Sequence, residues 1–289
     1  DQFRVMGCEY KIAALTNITP EHLDYHKSFE RYSKAKLSLI NNADMAVVNT
    51  DCSTFYRYKK MVRGSKVWYS SIEKSADFTW TELRKQGVFN TFPGFERKNM
   101  VVAYGVCKLL GLSSKKISSA LNTYIRVKGR FDFFVRKNRQ FLVDFAHTPY
   151  AFKELYDAIT STLPYERIIH VFGCAGLRDH LKRPMMGEVA GLHADYIIFT
   201  EEDYRTEDIN TILTDVEVGI KKNKKQVKDK TYFLVPDRYT AIETAVKMAT
   251  KKDLIVLTGK AHEKSLCRGT AEHPWDEYAA VEDIMGKNS

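Results

Sequence analysis

The sequence predicts an α/β protein whose second half is a doubly wound, mostly parallel sheet. From about Phe131 onward, short apolar runs alternate with helical stretches, and each run is continuous rather than alternating, as in strands buried on both faces. The runs are FLVDFA (141–146), RIIHVFG (167–173), ADYIIFT (194–200), TYFLV (231–235) and DLIVLTG (253–259). The helices between them are predicted at 147–163, 183–192, 207–221 and 237–250. In such a sheet, ligands bind beyond the carboxyl ends of the strands.

The first part of the chain is less regular. KIAALTNI (11–18) and DMAVVNT (44–50) read as strands on either side of a helix near 28–40, and a polar stretch with short strands follows over 51–95. Further helices are predicted from about 97 to 110, ending at Gly111, and over 115–125. Two or three strands make a poor core, so this part is predicted to be the tail of a larger α/β domain. A length of 289 residues suits two domains, and we place them at 1–127 and 128–289.

Composition narrows the class of protein. An apolar fraction of 44% and a charged fraction of 28% are those of a soluble globular protein, and no apolar run is long enough to span a bilayer. The five cysteines are widely spaced, which favours reduced thiols in the cytoplasm. Lys and Arg outnumber Asp and Glu by 45 to 36, which favours anionic partners. The basic run at 221–230 is typical of a solvated helix end, and no nucleic-acid-binding signature accompanies it.

The segment TNITPEHLDYHKSFERYSKAKLSLI (16–40) carries residue types that suit metal binding and covalent chemistry. His22 follows a predicted helix start at 19–21, and with Asp24 and His26 it could supply a subset of ligands to one cation. Lys36 lies in mid-helix among apolar neighbours, where burial favours loss of its proton. Surface histidines and a lysine that extends its ammonium to solvent explain the same pattern.

This segment resembles the pattern T-N-x-x-x-D/E-H-L-D-x-H followed by Y-x-x-A-K-x-x-L of the Mur ligase family, and within that family the ligases that add the third amino acid of the peptidoglycan peptide. Tyr32, Ala35, Lys36 and Leu39 match in register. The resemblance implies that His22 is a magnesium ligand. It also implies that Lys36 is carbamylated, which makes it a carboxylate-like metal ligand and a catalytic group. Oxygen ligands suit Mg²⁺, a hard cation.

Three further segments resemble the nucleotide-binding motifs of the family. PGFERKNMVVAYGVCKLLGL (93–112) places Asn99 on the asparagine that meets the nucleotide, and VKGRFDFF (127–134) places Arg130 on the ATP side. VDFAHTP (143–149) resembles V-D-Y-A-H-T-P, which implies that Asp144 meets the ribose and that His147 lies nearby. A solvated helix position for Asn99 and an interdomain salt bridge for Arg130 are the alternatives.

The stretch 171–208 resembles F-G-C-G-G-x-R-D-x-x-K-R-P-x-M-G followed by T-x-D-N-P-R-x-E. Arg178 and Arg205 fall on the two arginines that face the incoming amino acid in the diaminopimelate-adding ligases, and guanidinium groups form paired hydrogen bonds with carboxylates. Asp203 replaces the asparagine of this motif. A negative charge beside a substrate carboxylate is unfavourable unless another group compensates it.

LTGKAHE (257–263) resembles G-K-G-H-E. Gly259 and Glu263 fall on the pair that holds the far end of the amino acid, where a carboxylate suits an ammonium group. Ala261 replaces the second glycine of the motif, which predicts a change in backbone geometry.

The resemblance implies a remnant of a central P-loop-type ATPase domain followed by a Rossmann-like domain. No G-x-x-x-x-G-K-[ST] occurs in the sequence, so we expect the phosphate loop and a UDP-sugar domain upstream of Asp1. The implied protein is a cytoplasmic, monomeric ligase that uses ATP and Mg²⁺ to join diaminopimelate or lysine to UDP-MurNAc-L-Ala-D-Glu, and this piece is expected to be inactive alone. The alternatives are a non-catalytic nucleotide- or amino-acid-binding module, and another ligase of the superfamily such as cyanophycin synthetase or folylpolyglutamate synthase.

Overall fold

A computed structural model describes residues 7–19, 23–72, 75–89 and 92–287, with only the backbone described at residues 23 and 24. The chain divides into two compact units, residues 1–125 and residues 126–289. Each unit is built on its own sheet. The predicted helix start at 19–21 and His22 lie at or within a gap in the described residues, so the structure does not bear on them.

The first unit contains a four-stranded parallel sheet in the order β1-β2-β3-β4. Its strands are β1 (Tyr10–Leu15), β2 (Ala43–Asn49), β3 (Ser65–Ser70) and β4 (Phe78–Thr79). Its helices are α1 (Leu23–His26), α2 (Phe29–Asn41), α3 (Phe55–Tyr58), α4 (Trp80–Lys85), α5 (Gly94–Leu109) and α6 (Ser114–Asn122), with a 3₁₀ turn at Lys59–Met61.

Successive side chains of β2 point to opposite faces of the first sheet, and this alternation gives the unit two cores. Val48 packs with α2 and α3, through Leu37 and Phe55. Val47 packs on the other face with α5 and α6, through Val101 and Ile117. Helices therefore cover both faces of a sheet of only four described strands.

The second unit contains a six-stranded sheet in the order β5-β6-β10-β7-β8-β9, in which only β5 is antiparallel to its neighbour. Its strands are β5 (Asp132–Arg136), β6 (Arg139–Asp144), β7 (Ile168–Phe172), β8 (Tyr196–Phe199), β9 (Tyr232–Leu234) and β10 (Leu254–Thr258). A separate hairpin consists of β11 (Ser265–Arg268) and β12 (Ala271–Pro274). The helices are α7 (Pro149–Thr162), α8 (Lys182–His193), α9 (Ile209–Ile220), α10 (Arg238–Met248) and α11 (Glu277–Lys287).

The second unit confirms the predicted α/β fold. The five apolar runs form β6 to β10, and every residue of β7 and β10 is buried, as expected for strands covered on both faces. Helix α7 begins as predicted, because the Thr148 hydroxyl accepts a hydrogen bond from the backbone N–H of Ala151 at 3.2 Å and Pro149 occupies the first turn. No helix in the described parts of the chain combines the length and the apolar character needed to cross a membrane.

A buried histidine makes the stability of the second unit depend on pH. His170 of β7 lies between the hydroxyls of Tyr156, 2.6 Å from Nδ1, and Thr258, 2.9 Å from Nε2. Burial, with a smaller contribution from Arg238, lowers the pKa of His170 to about 3. Because this pKa lies below that of an unfolded histidine, about 6.5, the stabilisation is complete above pH 6.5 and is lost as the pH falls from 6.5 towards 3.

We therefore expect the free energy of unfolding of this unit to be about 2 kcal/mol lower at pH 5 than at pH 7. Trp275 is the only tryptophan of residues 126–289, so its fluorescence in a Trp68→Phe/Trp80→Phe background reports this unit during urea unfolding. His170→Gln should flatten the difference between the two pH values. An equal difference in the His170→Gln variant would show that another group titrates.

Candidate functional site

Four segments meet at one edge of the second sheet, because the carboxyl ends of parallel strands lie on the same side. They are the residues after β6 (145–147), after β7 (173–178), after β8 (200–205) and after β10 (259–263). Six of the eight residues that the sequence assigned to this unit lie on these segments, and Asp144 directly precedes the first of them. The edge is therefore the candidate site.

A buried lysine joins the segments after β8 and β10. The side chain of Lys260 is 1% exposed, and its ammonium donates to Asp203 Oδ1 and to Glu263 Oε2, both at 2.7 Å. Burial disfavours the ammonium, but the hydrogen bonds to Asp203 and Glu263 outweigh burial and raise the pKa of Lys260. Lys260 therefore stays charged and is the counter-ion of Asp203 that the sequence did not identify.

Arg205 faces the same carboxylate and also braces the backbone. Its Nη2 lies 3.6 Å from Asp203 Oδ2, and its Nη1 donates to the carbonyl oxygen of Gly176 at 2.9 Å. The Arg205 backbone, with φ of 54°, donates to Cys267 and accepts from Gly269. This ladder anchors the segment after β8 to the β11–β12 hairpin.

The segment after β7 packs tightly against the segment after β8. A Cβ on Gly176 would come within 2.0 Å of the carbonyl oxygen of Tyr204, so only glycine fits there. Arg178 follows two residues later with an exposed side chain. The loop that carries Arg178 thus packs against the backbone of Tyr204, next to Arg205. The roles of both arginines toward a substrate stay predictions.

Gly259 approaches a buried carboxylate that the sequence interpretation missed. Glu202 is buried, and its Oε2 accepts no hydrogen bond from the described residues. A Cβ at Gly259, where φ is +99°, would lie 2.9 Å from that oxygen. Burial raises the pKa of Glu202, and nearby cations, Lys182 first among them, oppose the increase. A buried carboxylate oxygen in this state is a place for a ligand N–H group.

Ala261, which replaces the second glycine of the motif, keeps a backbone conformation typical of glycine. Ala261 is buried and has a φ of 41°, within the left-handed region that glycine favours. The substitution therefore costs about 1 kcal/mol or somewhat more in local strain, without opening the turn that carries Lys260 and Glu263.

The residues of the second unit that the sequence assigned to the nucleotide lie together beside Phe145. The Arg130 guanidinium lies 4.5 Å from the centre of the Phe145 ring, and the rings of His147 and His262 lie 5.0 and 4.9 Å from it. Asp144 accepts backbone hydrogen bonds from Phe131 and Ala146, both at 2.7 Å. Burial raises the pKa of Asp144, and these two hydrogen bonds followed by Arg130 and His147 oppose the increase.

This cluster can receive an anionic, aromatic ligand. The cationic Arg130 and the aromatic faces of Phe145 and His262 provide charge and stacking surface. Both Asp144 oxygens already accept a backbone N–H, yet a carboxylate has further lone pairs for a hydroxyl donor. The role of Asp144 toward a ribose remains a prediction.

Three of the assigned residues belong to the first unit. Lys36 is half-buried on α2, where its ammonium donates to the carbonyl oxygen of Asn17 at 3.3 Å and lies 4.8 Å from the centre of the Tyr32 ring. Asn99 has an exposed side chain on α5. His22, the second predicted metal ligand, lies outside the described residues.

The described residues alone do not fit a magnesium ion. Within them, no three or more His, Cys, Asp or Glu side chains lie close enough to hold a metal ion. Lys36 in its ammonium form repels a cation, and its contacts with a carbonyl oxygen and an aromatic ring suit an ammonium. Only carbamylation would turn Lys36 into an oxygen ligand.

Sequence reasoning missed Glu202, His262 and the bridging role of Lys260. All three lie inside segments that had been singled out, at the ends of β8 and β10. The signal that could have found Glu202 is its position three residues after the end of β8, a strand of continuous apolar residues, at the edge where ligands bind.

Comparison with known proteins identifies the family of this fold. Residues 1–141 match the Mur ligase middle domain, and residues 129–261 match the Mur ligase glutamate ligase domain. The chain therefore belongs to the Mur ligase family.

Two similar relatives are UDP-N-acetylmuramoyl-L-alanyl-D-glutamate–2,6-diaminopimelate ligases. The one from Clostridium botulinum is 33% identical over 98% of the chain and 60% of the relative. The one from Caldanaerobacter subterraneus is 35% identical over 99% of the chain and 61% of the relative. A solved structure of a ligase with the same name has a TM-score of 0.55 at 26% identity, over 99% of the chain and 62% of that structure. The chain thus spans about three fifths of the length of the relatives it matches.

Proposed function

We propose that the chain is the larger part of an ATP-dependent ligase that adds a diamino acid to UDP-MurNAc-L-Ala-D-Glu in peptidoglycan synthesis. The observation that carries the proposal is the edge of the second sheet. There Asp203 and Glu263 pair with one buried lysine, the buried Glu202 lies beside Gly259, and two arginines lie on adjoining loops. This mixture of charges suits a ligand that carries both carboxylate and ammonium groups. The names of the relatives support the same reaction.

The proposed roles follow from the chemistry of each side chain. Arg178 and Arg205 bind a carboxylate of the incoming amino acid through their guanidinium groups. Glu263, Glu202 and the backbone at Gly259 receive its ammonium group. Asp203 holds Lys260 and Arg205 in place, which explains why a carboxylate is tolerated at a position where the family has asparagine.

Amide formation from a free carboxylate is unfavourable in water, so the acceptor must be activated. In the proposed reaction the D-glutamyl carboxylate attacks the γ-phosphorus of ATP, ADP leaves and an acyl phosphate forms. The neutral amine of the third residue then attacks the acyl carbon, loses a proton as the amide forms, and inorganic phosphate leaves.

The nucleotide is proposed to contact Arg130, Asp144, His147 and Asn99. Mg²⁺ is proposed to accompany ATP, with His22 and a carbamylated Lys36 as its ligands.

The test is an ADP-release assay on the full-length protein with the UDP-linked dipeptide and, in parallel, diaminopimelate, lysine and ornithine. We expect saturable stimulation by a diamino acid, and diaminopimelate above lysine if Arg178 and Arg205 bind its second carboxylate. Arg205→Lys keeps the charge but loses the paired hydrogen bonds, so it should narrow the preference for diaminopimelate by about tenfold. Stimulation by none of the three would refute the substrate assignment.

A further inference from the structure

We propose that buried Arg238 is a positioning residue that fixes the two loops of the candidate amino-acid site relative to each other. The consequence for substrate binding rests on the proposed function, whereas the positioning itself does not. Arg238 belongs to none of the segments singled out in the sequence, and it lies at the start of α10.

The guanidinium of Arg238 bridges the ends of two strands that are not neighbours. Its Nη2 donates to the carbonyl oxygen of Thr258 at 2.8 Å, and its Nη1 donates to that of Glu201 at 3.3 Å. Thr258 is the last residue of β10 and precedes Gly259, and Glu201 precedes Glu202 and Asp203. Since β10 and β8 flank β7 in the sheet, one side chain spans the edge between them.

A second layer of contacts holds Arg238 in this position. The side chain is fully buried, and Nε and Nη2 donate to the two carboxylate oxygens of Glu277 at 2.9 and 2.5 Å. The indole N–H of Trp275 donates to the same carboxylate at 2.7 Å. The Glu201 carboxylate accepts from the backbone N–H of Arg238 at 3.1 Å and pairs with Arg268.

Only an arginine can make this set of contacts. The planar fork places two nitrogens on the Glu277 carboxylate while the outer N–H groups reach two carbonyl oxygens on different strands. A lysine ammonium could pair with Glu277 but could not bridge both carbonyls. Arg238→Lys therefore removes the link between the loops while it keeps the buried charge paired.

Hydrogen–deuterium exchange in the full-length protein measures the positioning directly. The amides of Arg205, which donates to Cys267, and of Glu263, which donates to Lys260, report the two loops. We expect both to exchange about tenfold faster in Arg238→Lys than in the wild type, which corresponds to about 1.4 kcal/mol of local opening. Unchanged exchange at both loops would overturn the proposal.

The matched control lies at the opposite edge of the same sheet. Asp253 pairs with Arg167 through both carboxylate oxygens, at 2.9 and 2.6 Å, just before β10 begins. Asp253→Asn should lower the unfolding temperature without changing exchange at Arg205 or Glu263. If Asp253→Asn accelerates those amides as much as Arg238→Lys does, the effect is global destabilisation and the proposal fails.

Kinetics of the same variants test the consequence for function. In Arg238→Lys we expect the KM for the diamino acid to rise about tenfold, with the KM for ATP and kcat within about threefold of the wild type. Equal increases in every KM would refute a specific effect on this site. Absence of turnover in the wild type would refute the proposed function alone, because the exchange result still decides the role of Arg238.

If Arg238→Lys fails to fold, Glu277→Gln tests the same link. The amide has one acceptor oxygen in place of the two that accept from Nε and Nη2 of Arg238, so it holds the guanidinium less firmly. Faster exchange at both Arg205 and Glu263 is the expected result, because Arg238 contacts the ends of both strands. Exchange as in the wild type at both amides would contradict the proposal.

Discussion

Replacing Lys36 with alanine in the full-length ligase is expected to lower turnover by about 100-fold or more. The proposal requires a carbamylated amine at this position, and loss of electrostatic stabilisation of a transferring phosphoryl group has effects of this size. Turnover is measured as ADP release at saturating substrates, with and without added bicarbonate.

Lys36→Arg separates a carbamate from a simple cation. A guanidinium can still lie over the Tyr32 ring and donate to Asn17, but it cannot be carbamylated, so we expect Lys36→Arg to be as impaired as the alanine variant. Bicarbonate should rescue neither variant. Lys34 pairs with Glu30 on the exposed face of the same helix, and Lys34→Ala should keep full activity. Near wild-type turnover in Lys36→Arg would show that a cation alone is sufficient.

The fold could be predicted where one physical effect dominates. Strands β7 and β10 are continuous apolar runs. A short run of this kind is buried on both faces, which is typical of a strand inside a parallel sheet. The hairpin strand β12 was not predicted, because its four residues are all exposed and have no strand pattern. Helix α5 begins at Gly94, three residues before the predicted start, after a proline that lacks a side-chain cap.

The candidate site could be predicted as segments but not as contacts. Arg205, Asp203 and Glu263 were assigned through resemblance, and the structure places them at one edge. The bridge through Lys260 could not be derived, because it joins residues 57 positions apart in the chain and depends on burial that spacing does not encode. Arg238 was missed for the same reason, since its partners come from two strand ends and from α11.

Lys260→Met is expected to abolish most amino-acid-dependent turnover and to destabilise the second unit by about 3 kcal/mol. Removing the buried ammonium takes away the ion-pair partner of Glu263 and leaves Asp203, among the described residues, with only the longer ion pair to Arg205, at 3.6 Å. Breaking a buried ion pair has costs of this order. Urea unfolding followed through Trp275 measures the stability, and the KM for the diamino acid measures binding. A folded Lys260→Met variant with the wild-type KM would contradict the proposed bridge.

A double-mutant cycle then separates the two carboxylates. Asp203 is 17% exposed and Glu263 is 37% exposed, so water screens the second pair more than the first. We expect a coupling free energy of about 2 kcal/mol between Lys260 and Asp203, and of about 0.5 kcal/mol between Lys260 and Glu263. Lys260→Met/Asp203→Asn should therefore recover more stability than Lys260→Met/Glu263→Gln. The reverse order would mean that Lys260 serves mainly to hold Glu263 toward the ligand. In that case Arg205 and the backbone N–H of Cys267, which donates to Asp203 at 3.0 Å, would explain why an aspartate is tolerated in this motif.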